Sequence, residues 1–344
     1  MHDASPAERV AWDKLLAPYK KADDRAAWFQ LSTTALGYVV LWIAMFHSLK
    51  IGYWSTFLIG LIAAGFSTRL FIFQHDCGHG SFFRSQKLNN LVGSVLGVVT
   101  FFPYAYWRRT HAIHHATAGN LDRREFGDIE TLTVKEYLEL GFWGRLGYRL
   151  YRNPFVLMVF GPFYQFVVKH RLPWNTPRSW RKEWASVLWS DAALLVILVP
   201  FIITGNFLAF VAVQMTIIGI SGAIGIWLFY VQHQFEDTYW RGQKDWSFIR
   251  AGLEGSSYYD LPQVLHWFTG NIGYHHIHHL SSRIPNYHLR KCQEEVPEVG
   301  HVTRLKLWES LSCAKLKLWD EQSQRLVGWK FLREMRRAQE PSIA

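Results

Sequence analysis

Eight of the sixteen histidines fall into three short runs whose spacing suits a metal. "HDCGH" sets His75 and His79 four apart, and "HAIHH" brings His111, His114 and His115 together. "HHIHH" repeats the three-then-four spacing with His275, His278 and His279, leaving His276 over. Residues three and four apart share a helix face, so each run can aim two or three imidazoles at one point. A single such pair is a common accident; three brought to one depth make a shared site. Imidazole suits zinc, copper, iron and nickel alike. Zinc usually takes four ligands, and eight or nine imidazoles exceed the needs of one ion, so two ions are the economical reading. The first run lacks the glutamate of an HExxH helix, which argues against hydrolysis. Two redox-active ions beside buried apolar chain suit oxygen activation, and iron is the metal expected.

What could bring the runs together is visible in the apolar residues, 49% of the 344, which are gathered into stretches. Residues 31–49 and 207–232 carry no formal charge, 51–74 only Arg69, and 188–204 only Asp191. Each is long enough, or nearly so, to cross about 30 Å of hydrocarbon. The connections 49–51 and 204–207 are so short that each pair must be antiparallel. Two hairpins result, each starting and finishing on one face, which puts all three histidine runs at one edge. Residues 88–106, broken by Gly93, Gly97 and Pro103, and 153–169, with basic residues at both ends, read as shallow or re-entrant segments. The expectation is an all-α integral membrane protein: four transmembrane helices in two hairpins, shallow interfacial helices, and a cytoplasmic cap carrying the metals. Residues 1–30 form a charged cytoplasmic segment, 31–290 the membrane domain, and 291–344 an amphipathic helical tail.

The net charge of +10 does not point to nucleic acid. Basic residues cluster in the N-terminal segment, in 80–183 and after 240, with none between 183 and 240. That is the positive-inside pattern for three cytoplasmic regions with both termini inside. The charged first thirty residues do not have the short basic start of a secretory signal. Cys77, Cys292 and Cys313 make an odd count without a CxxC pair, which fits reduced thiols rather than a disulfide framework.

"HDCGHGSFF", "HAIHHATAGNLDRREFGDIE" and "GYHHIHHLSSRIPNY" resemble, in order and spacing, the three histidine boxes of the membrane fatty acid desaturases, over roughly residues 35–290. The resemblance implies a non-haem di-iron centre held by His75, His79, His111, His114, His115, His275, His278 and His279, with no catalytic side chain beyond the metal site. It also implies a further histidine outside the boxes, for which His233 in "YVQHQFE" is the candidate. The HxxxH first box resembles acyl-lipid enzymes of the omega-6, delta-12-like group rather than acyl-CoA delta-9 enzymes. The third box starts with His275 and not the glutamine of front-end desaturases. With no HPGG-bearing cytochrome b5 module in the chain, electrons are expected from a separate ferredoxin-like donor, and a basic face suits an acidic carrier. The implied substrates are a fatty acyl lipid and O2.

Metal-bound histidines usually pass their second N–H to a carboxylate or carbonyl. Asp76, Asp128, Glu236, Asp237 and Asn271 lie near the boxes and are candidates. His276 is expected to orient a ligand or face the interface, and a register in which it replaces His275 stays open. Cys77 reads as a small packing residue, Gly78 and Gly80 as permitting close approach, and 101–109 as either a tunnel lining or an interfacial aromatic belt.

A saturated carbon has neither lone pair nor acidic proton, so acid–base side chains cannot open it. The implied reaction removes hydrogen from two neighbouring methylenes at the expense of O2 and two external electrons, while the protein positions the chain. A hydroxylase or carotenoid ketolase would use the same boxes. A membrane metal transporter is the rival from another class, but it would favour polar groups along the spans, and 31–49 and 207–232 have almost none. Reporter fusions in the 107–150 and 170–185 loops are expected to signal from one side of the membrane. Opposite-side signals would break the two-hairpin topology.

Overall fold

The structure, a computed structural model, describes residues 6–124, 129–174 and 176–339. The chain runs through α1 (Pro6–Leu16), α2 (Asp24–Ser48), α3 (Tyr53–His79), α4 (Gln86–Val99) and α5 (Tyr104–Thr117). The short helices α6 (Val134–Glu139), α7 (Phe142–Tyr151), α8 (Pro154–Val159) and α9 (Gly161–Phe163) lead to α10 (Arg181–Ile203) and α11 (Phe207–His233). The remainder is α12 (Phe248–Leu253), β1 (Tyr258–Asp260), α13 (Gln263–Phe268), α14 (His275–Leu280), α15 (Asn286–Glu295), β2 (Arg304–Lys306), β3 (Leu316–Asp320), β4 (Arg325–Gly328) and α16 (Trp329–Gln339).

Four of these helices, α2, α3, α10 and α11, are long and apolar enough to cross a membrane. They are the four expected spans, extended at their ends. α2 starts earlier than its apolar run because the Asp23 carboxylate accepts from the N–H groups of Arg25 (2.9 Å) and Ala26 (3.3 Å), a cap of the kind that stabilises a helix by about 1 kcal/mol. α3 continues through the first histidine run and stops where Gly80 turns left-handed (φ +65°). At 27 residues each, α3 and α11 are about 40 Å long, some 10 Å more than the hydrocarbon core. The excess carries their histidine ends clear of the lipid.

α4 and α5 meet at a bend of 103°. α4 starts beside the end of α3, and α5 finishes with its histidines against those of α3, so the pair enters and leaves on one face. This is the re-entrant element expected from 88–106. Arg69, the one charge in the second span, is buried and donates to the Trp267 carbonyl, to Gln30 Oε1 (2.9 Å) and to Thr34 Oγ1 (3.3 Å), with the Trp267 ring 4.3 Å away. A charge at that depth needs such partners, and here they pin α13 to α2 and α3.

The two hairpins differ. α2 and α3 pack along their lengths. α10 and α11 meet near their turn, where Phe201 and Phe210 lie 4.8 Å apart, and then diverge. α10 leans on α5, with Ser186 Oγ accepting from the Ala105 N–H (3.0 Å), whereas α11 leans on α3. Residues 153–171 fill the gap between them as α8, α9 and a π-helical stretch Tyr164–Lys169.

The tail departs from the helical expectation. Between α15 and α16 it forms β2, which pairs in parallel with β1, and the antiparallel hairpin β3–β4. "LKLWD" is buried on both faces from Lys317 to Asp320, with Trp319 fully inside, whereas "RLVG" buries Leu326 and leaves Arg325 exposed. Only α16, basic and amphipathic, matches the expected helix. Nor is the N-terminal segment separate: Leu16 and Tyr19 pack on Tyr274, Ile277 and Leu289 around the third histidine run.

Arg152 joins the tail to the bundle. Buried, and without a carboxylate partner among the described residues, it donates to the Glu130 carbonyl, Thr131 Oγ1, Tyr230 OH, Gln234 Oε1 and the Leu316 carbonyl. Arg152→Met removes five hydrogen bonds, although the Leu316 carbonyl and Gln234 Oε1 keep the hydroxyls of Tyr230 and Thr131; stability should fall by about 2 kcal/mol and amide exchange in 314–320 should speed up. Unchanged melting in detergent would refute the clamp.

Candidate metal centre

Box one sits on the last turn of α3, box two on α5 and box three on α14. α14 is short, held from below by α1 and from the side by α12 and α15. Nine imidazoles converge in two groups. His75, His79, His111, His115 and His278 form one, and His114, His233, His275 and His279 the other, with the ligand atoms of each group within 4.8 Å of one another. The three-then-four spacing is what feeds both. On α5, His111 and His115 turn to the first group and His114 to the second; on α14, His278 turns to the first and His275 with His279 to the second.

The Nε2 atoms face each other at 3.1 Å (His75–His111 and His111–His115), 3.0 Å (His115–His278), 3.3 Å (His114–His279), 3.1 Å (His275–His279) and 2.9 Å (His233–His275). Nitrogens about 2.0–2.1 Å from a common cation stand about 2.9–3.4 Å apart at octahedral to tetrahedral angles. His79 Nε2 is buried with no hydrogen-bond partner. The donor set therefore fits a pair of imidazole-bound cations.

The backs of the rings decide which nitrogen faces inward. Asp76 Oδ1 lies 3.1 Å from His75 Nδ1, and the Gly255 carbonyl 2.9 Å from His233 Nδ1. An Nδ1–H donated there leaves the Nε2 lone pair for the centre. Asp76 is itself held by the backbone N–H (2.7 Å) and side chain (2.8 Å) of Asn286. Asn286 and the Gly255 carbonyl carried no spacing signal, since both are brought in by folding alone.

Other sequence candidates fall elsewhere. Asn271 does not reach a histidine; its amide donates to the Asn286 carbonyl (3.2 Å), one layer further out. Glu236 and Asp237 are exposed partners of Arg325, at 3.8 and 3.0 Å. Asp128 lies outside the described residues. His276 points away from the cage to Gln293 Oε1 (2.9 Å), and His275 takes the inward register. Cys77 is a buried packing residue whose carbonyl accepts from Tyr104 OH (2.8 Å).

On the membrane side the cage has an apolar wall. Trp107 stacks on His111 with centroids 4.6 Å apart, and Phe229 lies 4.9 Å from His114 and 5.2 Å from His233. A Cβ on Gly78 would sit 2.5 Å from the Trp107 ring, so glycine is what lets the indole close in. Phe102 and Tyr106 face His170 instead. Burial, reinforced by neighbouring imidazoles, holds His275, His278 and His279 well below the usual histidine range and keeps their lone pairs free.

A family model for fatty acid desaturases matches residues 52–310. The chain belongs to the fatty acid desaturase family. A fatty acid desaturase of Bacillus subtilis is 41% identical over 94% of this chain and 91% of its own length. An endoplasmic-reticulum omega-3 fatty acid desaturase of Vigna radiata is 30% identical over 82% of this chain and 78% of its own. A chloroplastic sn-2 acyl-lipid omega-3 desaturase (ferredoxin) of Arabidopsis thaliana is 30% identical over 82% and 66%. A desaturase-family chain with four apolar spans is a multi-pass membrane oxidoreductase.

Outside the cage, burial takes His276 down to about 4, against a hydrogen bond to Gln293 that pulls it up. Its unfolded value is near 6.5. The unfolded chain thus binds a proton that the folded chain refuses, so stability is complete above about pH 6.5 and is lost as pH falls towards 4. For the metal-free protein, His276→Gln is expected to reduce the pH slope of unfolding by about one proton across that window. An unchanged slope would contradict the assignment.

Proposed function

We propose that the protein is an O2-dependent, di-iron acyl-lipid desaturase of the omega-6, delta-12-like type. The nine boxed and added histidines are its ligands, and its histidine end and both termini lie in the cytoplasm. The observation carrying this reading is the convergence of nine imidazoles into two adjoining groups at one end of a four-span bundle. The overall reaction is R–CH2–CH2–R′ + O2 + 2 e⁻ + 2 H⁺ → R–CH=CH–R′ + 2 H2O. Two irons, when bound, supply the oxygen activation and one-electron redox capacity needed to break an unactivated C–H bond.

The chain's residues do the rest. Asp76 and the Gly255 carbonyl hold His75 and His233 with Nε2 inward. Trp107 and Phe229 keep water from the lipid face and offer a methylene chain an apolar surface beside both groups. Electrons come from a separate carrier; one plant relative is named as ferredoxin-dependent, and the basic surface suits an acidic donor. The largely buried ligand set favours resident ions over transported ones.

Expression in a host lacking polyunsaturated lipids, followed by fatty-acid methyl ester analysis, is expected to reveal a new double bond on the methyl side of an existing one. Its position separates omega-6 from omega-3 activity, and a hydroxylated or oxygenated product would select a sister reaction. An unchanged profile with an active donor present would reject the reading. His111→Ala should abolish product and lower bound iron; full turnover would remove His111 from the ligand set.

A further inference from the structure

Residues 153–171, which occupy the gap between α10 and α11, differ in build from the spans beside them. The segment consists of short pieces, α8, α9 and the π-helical Tyr164–Lys169, with a break at Phe160. π-Helical turns and breaks are where helices yield and where function collects. Between 153 and 171 the buried side chains are Pro162 and His170, so local opening gives up the packing of two side chains.

Its seat on α11 is smooth. A Cβ on Gly222 would fall 2.7 Å from Pro162 Cβ and 2.9 Å from the Phe166 ring, and one on Gly219 would fall 3.0 Å from Phe163. The segment rests on a glycine face, with Pro162, Phe163 and Phe166 in the space that larger residues on α11 would fill.

Its far end is fastened by one charged residue. Arg171 donates to Asp191 Oδ1 (2.7 Å) and Ser190 Oγ (3.1 Å) on α10, and to the Phe101 carbonyl (2.8 Å). Asp191 is the only formal charge in 188–204 and stands about 15 Å along α10. Charge at such depth is costly and marks function more often than support. Phe101 has φ +60°, a strained conformation for a residue with a side chain, in the turn that launches α5.

Behind the segment lies the wall of the cage. Phe166 and His170 meet Phe102 at 5.2 and 4.0 Å, Phe102 lies 6.1 Å from Trp107, and Trp107 stacks on His111. Lifting the segment would uncover this aromatic path from the lipid to the histidines.

We propose that residues 153–171 close a lateral lipid-access site between α10 and α11: release of Arg171 from Asp191 lets the segment leave the glycine face and admits the acyl chain of a membrane lipid to the Trp107 wall. This rests on the desaturase reading, because only a substrate dissolved in the bilayer needs a way in from the side. The segment's exposed side chains, among them Phe155, Phe160, Phe163, Val167 and Val168, are aromatic and aliphatic, which suits a hydrocarbon chain over a soluble ligand. Arg171 and Asp191 are positioning residues for that passage, and their tie to the Phe101 carbonyl links its state to the helix bearing box two.

A cross-link distinguishes a moving gate from a fixed strut. Pro162→Cys with Gly222→Cys places two thiols on adjoining backbones, within about 1 Å of disulfide spacing. In full-length, iron-loaded protein in phospholipid vesicles with reduced ferredoxin, the oxidised pair is expected to lose at least tenfold in turnover and to regain it on reduction. Undiminished turnover of the cross-linked protein would overturn the proposal. A second measurement needs no activity: in wild-type nanodiscs, amides 164–169 should exchange at least tenfold faster than 213–218, and faster still in Asp191→Asn. Equal protection would also overturn it. If wild-type and reduced double-cysteine proteins both form no product, the desaturase reading fails, and the exchange result still decides whether the segment opens.

Discussion

Eight imidazole nitrogens facing one another at 2.9 to 3.3 Å, with a ninth from His79 buried within 4.8 Å of its group, cannot be an accident of packing. Each has given up water, and lone pairs directed at a common point repel until a cation shares them. The folded chain must therefore supply the restraint that holds the rings in place. It does so through helices long enough to lift the ligands beyond the hydrocarbon, a tryptophan seated on a glycine, and acceptors behind His75 and His233 that settle which nitrogen looks inward. Burial completes the arrangement on α14, where it holds His275, His278 and His279 well below the usual histidine range.

The environment of the cage is uneven. Trp107 and Phe229 close the side towards the spans, while α1, α12, α15 and the β-containing tail close the other. Hydrocarbon chemistry and electron delivery have different solvents, and this asymmetry gives each its own face. Arg152 and Arg69 serve the division from within: each is a buried cation satisfied mainly by neutral oxygens, one clamping the tail to the end of α11, the other pinning α13 against α2 and α3.

Much of the fold was legible because membranes impose strong rules on sequence. A run without charge, long enough for the hydrocarbon and joined to its neighbour by two or three residues, leaves few arrangements, and α2–α3 and α10–α11 follow them. The re-entrant α4–α5 was visible in its glycines and proline. The tail was misread as helical because short strands such as Leu316–Asp320 alternate too briefly to announce themselves. Asn271 and the Glu236–Asp237 pair were proposed as ring supports on nearness in sequence. Backbone direction turned the acids to Arg325 and set Asn271 behind Asn286.

What the sequence alone determined was the periodic content: four apolar spans, and histidines at three-then-four spacing that any helix must present on one face. Local geometry enforces both, whatever surrounds them. Which nitrogens meet, how nine rings divide between two points, why His275 rather than His276 turns inward, and which atoms steady them were decided by tertiary structure. Those relations join residues up to two hundred positions apart, as Asp76 and Asn286 are, and only packing of whole helices brings such distant groups within a hydrogen bond.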